Sequence, residues 1–417
     1  MARFADPQRL RRLIEGLDRF TATPGRGTTR LTYSAQFRQA ADFLRAEMEA
    51  AGLGVREDEI GNVIGRLDGA NPERAAVMVG SHFDSVPNGG RFDGPAGVVA
   101  GLEVAFLLRQ HGLLPERPVE VIAMIEEEGT RFGGGLAASR ILTGALDTAR
   151  LGALPDDDGV TMAEAMTAYG LDPALAHRAV LEPGSLHAFL ELHIEQGPVL
   201  EARGEDVGIV ERIVGMAQVK ATVRGQAGHA GTTPMNARRD ALVGAVGALA
   251  RLPDLARETG PDAVLTVGKL EVRPGGANVI PDLVTFTVDI RAPQEEAVRA
   301  LVERTRSAIE AAGGNGLTVE IEEQLFVPPV PLSADLHATL SRHAAALGLK
   351  SRSMVSGAGH DAMIMAGFAP TGLVFVPSRG GISHAPEEWT DYEQLARGVD
   401  VLFAAVCELT LPPGLRP

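Results

Sequence analysis

Short apolar runs alternate with amphipathic stretches through the first half of the chain. Ala75–Phe83 (AAVMVGSHF) is short and almost wholly apolar, which predicts a strand buried on both faces. Gly94-Pro95 then opens a predicted helix to Gln110, with proline at an early helical position and Gly112 as a stop. Val119–Ile125 (VEVIAMI) and Leu186–Ile194 (LHAFLELHI) predict two further buried strands. Strand and helix signals in this alternation predict an α/β fold with a mostly parallel sheet. Ahead of them, Met1–Phe20 reads as an amphipathic helix without an apolar core of signal-peptide length.

From about Gly215 to Phe326 the pattern changes. Met216–Val223, Ala263–Leu270, Val284–Ile290 and Leu317–Ile321 predict strands, and Ala237–Leu252 and Glu295–Ala311 predict helices. Their βαββαβ order is that of a ferredoxin-like unit. The run Val327-Pro328-Pro329-Val330-Pro331 predicts a stiff linker. The α/β pattern then resumes with a strand at Leu373–Val376 and a helix at Tyr392–Leu409. The expected organisation is a discontinuous catalytic domain, 1–213 and 328–417, with an inserted α+β domain at 214–327. A chain of 417 residues is long enough for two or more domains.

Composition narrows the function. A formal net charge of -15 argues against non-specific binding to nucleic acid or anionic lipid, although it leaves room for a local basic pocket. No stretch approaches the roughly 20 apolar residues needed to span a bilayer, and a cytoplasmic protein is expected. Cys407 is the single cysteine, so there is no intrachain disulfide framework and any metal must sit on histidines and carboxylates.

Five segments gather such groups at the ends of predicted strands or in glycine-rich turns, where ligands of open α/β sheets collect. In Ser81-His82-Phe83-Asp84 the imidazole and carboxylate are two residues apart and point the same way on an extended chain, so Asp84 can orient His82. Asp93 lies just before the helix at Pro95; it reads either as a helix cap or as a carboxylate bridging two cations. Glu126-Glu127-Glu128 follows a buried strand; it is either a solvated turn or an acidic cluster that a dication would stabilise, one acid ligating and its neighbour acting as a base. His193 and His384 complete the set, and each alone reads as well as a structural or exposed histidine. Nitrogen and oxygen donors without thiolate suit Zn²⁺, Mn²⁺, Co²⁺ or Ni²⁺.

The strings SHFDSVPNGGRFDGPAGV, EEEGTRF, ELHIEQGPVLE, GQAGHAGTTPM, GGANVIP, VDIRAP, SGAGHDA and GISHAPEE, in this order, closely resemble the amidase, hydantoinase and carbamoylase family. That family includes N-carbamoyl-L-amino acid hydrolases, beta-ureidopropionases and allantoate amidohydrolases, and is related to dinuclear zinc aminoacylases and carboxypeptidases. The resemblance runs from about Tyr33 to Glu408. It implies two divalent ions per subunit, zinc or manganese, with cobalt or nickel as alternatives. His82, Asp93 and His193 would hold one ion, and Asp93, Glu128 and His384 the other, with Asp93 bridging. Glu127 would be the general base, and Asp84 would orient His82. Gln196 would contact the amide or ureido group, and His229 would polarise the scissile carbonyl, from the partner subunit. Asn278 and Arg291 would bind the substrate carboxylate, a role that suits the planar fork of arginine. The glycines around His360, Gly359 among them, suggest close approach of backbone to substrate. Arg238 and Arg239, at the start of a predicted helix, read as surface or interface residues. The resemblance also implies a homodimer built through the inserted domain, which would close as a lid.

The implied activity is hydrolysis of a linear C–N bond in a small carbamoyl or ureido carboxylate. The first expectation is an N-carbamoyl-L-amino acid, giving amino acid, ammonia and carbon dioxide. Allantoate is the alternative, followed by a beta-ureido acid and an N-acyl amino acid or dipeptide. A non-catalytic ligand-binding descendant is a different class, but it has no need of the base that Glu127 supplies.

Overall fold

Three of the apolar runs become neighbouring strands. In the computed structural model, which describes residues 4–314 and 316–415, Ala76–His82 lies between Val119–Met124 and Leu186–Ile194, parallel to both. Thr371–Val376 adds to Leu186–Ile194, also in parallel. Every residue of Ala76–His82, Val119–Met124 and Thr371–Val376 is buried, as expected of mostly apolar parallel strands covered on both faces. Antiparallel strands close the edges: Gly54–Glu57 and Val63–Leu67 beyond Val119–Met124, and Val207–Ile213 beyond Thr371–Val376. The sequence pattern did not show these three, being short and of mixed polarity.

Helices Pro95–Gln110 and Tyr392–Thr410 pack on this sheet and on each other. The first is buried almost all round, and its glycines permit close approach. A Cβ on Gly97 would lie 2.4 Å from the Leu192 carbonyl oxygen. Its buried Glu103 accepts from the Asp6 N–H at 2.9 Å and pairs with the Arg9 guanidinium, fastening the N-terminal helix Pro7–Asp18. These elements form the first of two units, residues up to Glu211, Leu332–Met354 and the chain from His360 onward.

The second unit comprises Arg212–Pro331 and Val355–Gly359. Its strands Gly215–Arg224, Val264–Arg273, Leu283–Ala292 and Thr318–Val327 form an antiparallel sheet, with the fourth beside the first, then the third, then the second. That is the ferredoxin-like arrangement. One face packs on the helices through Ala217, Val219, Phe286, Ile290, Leu301 and their neighbours.

Two expectations need correction here. The helix predicted over Ala237–Leu252 is two helices, Ala241–Leu249 and Leu252–Thr259. Asp240 caps the first, accepting from Leu242 and Val243 N–H. Pro253 cannot donate to Leu249, so the chain breaks and restarts with proline in the first turn of the second helix. The predicted linker is not free-standing either. Val327 ends the fourth strand, and Val330 and Pro331 pair with Ile213 and Arg212. Among the described residues no helix is long and apolar enough to cross a membrane.

The parallel core tolerates no added volume at Gly80, where a Cβ would sit 2.0 Å from the Ile122 carbonyl oxygen. Gly80→Ala is expected to lower stability by about 1–3 kcal/mol in urea unfolding. Gly152→Ala, with nothing within 4 Å of the added carbon, should stay within about 0.5 kcal/mol.

Candidate metal centre

The carboxyl ends of the parallel strands deliver the site. Ala76–His82 ends on His82, and the turn after it carries Asp93 to the start of helix Pro95–Gln110. Val119–Met124 runs out into Glu126–Glu128, Leu186–Ile194 holds His193, and the loop after Thr371–Val376 carries His384. Asp93 is the meeting point. Its Oδ1 lies 3.2 Å from His193 Nε2 and 3.6 Å from His82 Nε2, and its Oδ2 lies 3.1 Å from His384 Nε2. Glu128 Oε2 is 3.6 Å from His384 Nε2, and Glu127 Oε2 is 3.7 Å from His82 Nε2. Among the described residues four donor groups have their ligand atoms within 4.8 Å of one another: His82–Asp93–His193 and Asp93–Glu128–His384, which share Asp93, and also His82–Glu127–Glu128 and Glu191–His193–His360.

The far sides of two imidazoles fit a cation. His193 Nδ1 lies 2.9 Å from the Ile194 carbonyl oxygen, and His82 Nδ1 lies 3.3 Å from that of Asp84. An Nδ1–H donated to a carbonyl leaves the Nε2 lone pair, once deprotonated, facing the centre. Gly94 makes this packing feasible. Its φ is +78°, and a Cβ there would lie 2.4 Å from the His82 ring. Three residues with side chains also hold left-handed backbone at the site: Glu126 (φ 49°), Gln196 (φ 57°) and His384 (φ 55°). Such conformations persist only where surrounding contacts impose them.

The three adjacent acids part company. Glu126 turns away and accepts from the Arg131 and Phe132 N–H groups at 3.1 and 2.8 Å, closing its own loop. Glu127 and Glu128 face the histidines. Asp84 does more than its expected orienting role. Its Oδ1 is 3.4 Å from His82 Nδ1, and its two oxygens accept from the Glu127 and Glu128 N–H groups at 3.1 and 3.3 Å. Gln196 sits on the cluster, its Nε2 donating to Asp93 Oδ2 at 2.7 Å and lying 3.3 Å from His384 Nε2.

Other placed residues were not foreseen. Buried Glu191 accepts from Ser81 Oγ and the Ala362 N–H, behind His193. Ser383 Oγ lies 2.9 Å from Asp93 Oδ2 and 2.8 Å from Glu388 Oε2. Ser383 and Glu388 flank His384 in the GISHAPEE string, which was the available signal. His360, by contrast, was singled out in the sequence; it is buried, its ring 4.4 Å from that of His193.

His229, Asn278, Arg291 and Gly359 belong to the second unit. His229 is exposed on a two-residue strand paired with Val279–Ile280, and the Ala230 N–H donates to the Asn278 carbonyl at 2.9 Å. Arg238, expected at the start of a helix, instead braces this turn by donating to the Thr233 and Ala230 carbonyls. Arg291 pairs with Asp289 at 2.8 Å and donates to the Gly357 carbonyl at 2.8 Å.

Charge crowding sets the electrostatics. Burial would push Asp93 up, but hydrogen bonds from His193, His384 and His82 outweigh it and hold the carboxyl well below its usual range. Glu127 has less compensation. Burial, opposed by His82 and reinforced by Glu128, Asp361 and Asp84, drives it well above the usual carboxylate range. Burial and then Asp93 push Glu128 up to about 7. The hydrogen bond to Asp93, opposed by burial and reinforced by Glu128, raises His384 to about 9. His82 is raised as well, its buried ring stabilised in the charged form by Glu127, Asp84 and Asp93.

A carboxylate shared by three imidazoles at the carboxyl edge of a parallel sheet, with a further acid beside it, is the constellation of a hydrolase that works with bound metal. The chain belongs to Peptidase family M20/M25/M40, whose pattern it matches over residues 78–408. It is 44% identical over 400 residues to an N-carbamoyl-L-amino-acid amidohydrolase of Paenarthrobacter aurescens, covering 96% of this chain and 97% of that one. It is 37% identical over 404 residues to an allantoate amidohydrolase of Escherichia coli (strain K12), covering 96% and 98%. Among solved structures, an amidase of the hydantoinase/carbamoylase family from Burkholderia multivorans superposes with a TM-score of 0.91 at 36% identity, covering 98% of this chain and 99% of that one.

The raised histidines give a signed expectation. Without a cation they hold protons near neutrality, and binding must expel them. Zn²⁺ loading at about pH 7 should release protons, and apparent affinity should climb as pH rises toward about 9 and fall as it drops toward about 6. Calorimetry in buffers of different ionisation enthalpy counts the protons; equal heats in all buffers would contradict this.

Proposed function

We propose that the chain hydrolyses the carbamoyl C–N bond of N-carbamoyl-L-amino acids, with two divalent ions, zinc or manganese, held by His82, Asp93 and His193 and by Asp93, Glu128 and His384. The observation that carries the reading is the single carboxylate of Asp93 set against three imidazoles, each 3.1–3.6 Å away. Bound ions would supply Lewis acidity and lower the pKa of an attacking water. The protein supplies the rest. Glu127, 3.7 Å from His82 Nε2 and outside the two donor sets that share Asp93, takes the proton from the water and returns it to the leaving nitrogen. The charge of the ions would reverse the crowding that now raises Glu127, letting it act as a base near neutrality.

Gln196 contacts the ureido group, and His229, exposed on its own turn, polarises the carbonyl of a substrate held by the partner subunit. Asn278 and Arg291 bind the substrate carboxylate, and the glycine-flanked segment of Gly359 and His360 lines the approach. The products are amino acid, ammonia and carbon dioxide. Allantoate is the second reading, favoured by the relative of that activity at 37% identity. Assay of ammonia release with N-carbamoyl-L-amino acids, allantoate and N-carbamoyl-β-alanine in parallel decides between them. Turnover of allantoate alone would overturn the first.

Glu127→Gln keeps the shape and loses the base. It should lower kcat by about 10²–10⁴-fold while metal content, read by elemental analysis, stays at the wild-type level. Loss of metal would make Glu127 a ligand instead.

A homodimer through the second unit belongs to the same reading. Support comes from apolar side chains left exposed on its helical face, Met235 at 73%, Val243 at 63% and Val246 at 51%. Val243→Asp is expected to shift the mass measured by light scattering from dimer to monomer, leaving the far-UV spectrum unchanged.

A further inference from the structure

We propose that Glu388 is a positioning residue that fixes Asp93 from both ends, through its backbone and through its carboxylate. The inference rests on the reading of Asp93 as the ligand shared by both ions. Glu388 lies four residues beyond His384 and is 2% exposed. Its Oε1 accepts from the Phe92 N–H at 2.9 Å and the Asp93 N–H at 3.1 Å. Its Oε2 lies 2.8 Å from Ser383 Oγ, which in turn lies 2.9 Å from Asp93 Oδ2. One oxygen therefore holds the peptide on which Asp93 stands, and the other lies against the Ser383 hydroxyl, whose single proton serves either this oxygen or Asp93 Oδ2.

Two further features belong to the same clamp. Gly90 leaves the space that the carboxylate occupies, since a Cβ there would lie 2.0 Å from Glu388 Cδ and Oε1. The adjacent Trp389 packs edge-on against the buried Phe92 ring at 5.5 Å between centroids. The turn Gly90–Asp93 is thus gripped by polar contacts from Glu388 and by apolar contact from its neighbour. The first donor set draws Asp93 Oδ1 and the second draws Oδ2, so rotation of this carboxylate would disturb both. A small displacement of a ligand's support weakens binding even when the ligand itself is intact.

The chemistry separates two substitutions. Alanine leaves the Phe92 and Asp93 N–H groups without an acceptor and cuts the link to Ser383. Glutamine can accept both N–H groups with its carbonyl oxygen and donate from its amide to Ser383 Oγ, whose own proton then serves Asp93.

The test is Co²⁺ titration of the metal-free full chain, followed by visible absorbance, for wild type, Glu388→Ala and Glu388→Gln. Glu103→Ala is the control for general destabilisation, because Glu103 is a buried carboxylate that fastens the N-terminal helix instead. Glu388→Ala should weaken Co²⁺ binding by about 10–100-fold, and Glu388→Gln should recover it to within about threefold of wild type. Glu103→Ala should lower Tm and bind Co²⁺ as wild type does. Should Glu388→Ala fail to fold, Gly90→Ala, which crowds the carboxylate, is expected to weaken Co²⁺ binding in the same direction. Wild-type affinity in Glu388→Ala, or an equal loss in Glu103→Ala, would overturn the positioning role alone. No Co²⁺ uptake by wild type would overturn the metal reading beneath it.

Discussion

Everything at the site is arranged around one buried carboxylate. Asp93 is stripped of water, which by itself disfavours its charge, and three imidazoles restore that charge. Those imidazoles come from two strands and a loop that are far apart in sequence. Only the parallel order of the sheet brings them within reach of one residue. The position of Asp93 is therefore the constraint that the surrounding structure has to satisfy, through Gly94 under the His82 ring, Glu388 on the peptide, and Ser383 and Gln196 on the carboxylate.

The acids around it remain in conflict. Glu127 and Glu128 stand close together beside Asp84, only partly exposed, and each is displaced upward from its ordinary pKa. A carboxylate cluster with this little compensation destabilises the fold unless protons or cations neutralise it. Left-handed backbone at Glu126, Gln196 and His384 adds local strain. The sheet can carry both because its central strands are wholly buried, and because the helix Pro95–Gln110 packs on them at glycine-permitted distance. Stability is concentrated in the layers and strain at their carboxyl edge, where chemistry would take place.

The fold was legible where apolar runs were long and uniform. Leu186–Ile194 and the helix Pro95–Gln110 stand where the pattern put them. Gly54–Glu57 and Val63–Leu67 escaped notice because both are short: the first, at the sheet edge, buries none of its residues and carries Arg and Glu, and the second is only five residues long with a glycine and an arginine in it. The helix break at Arg251 was visible in Pro253, but the apolar residues on either side masked it. At the site, the histidines and acids were legible as residue types gathered at strand ends. Their division of labour was not. Nothing in Glu126-Glu127-Glu128 says that the first acid would turn back onto two backbone amides while the others face inward. That follows from the left-handed φ of Glu126.

The sequence by itself determined the order of the central parallel strands, the interruption of one α/β unit by a βαββαβ segment, and a donor set of nitrogen and oxygen without sulfur. These depend on local periodicity and composition, which survive without coordinates. The tertiary structure alone decided which carboxylate would be shared, which would be sequestered, and that Glu388, nearly 300 residues from Asp93, would hold it in place. Hydrogen bonds of this kind join groups whose distance along the chain carries no information about their distance in space. Only the packing of the sheet and its loops supplies that.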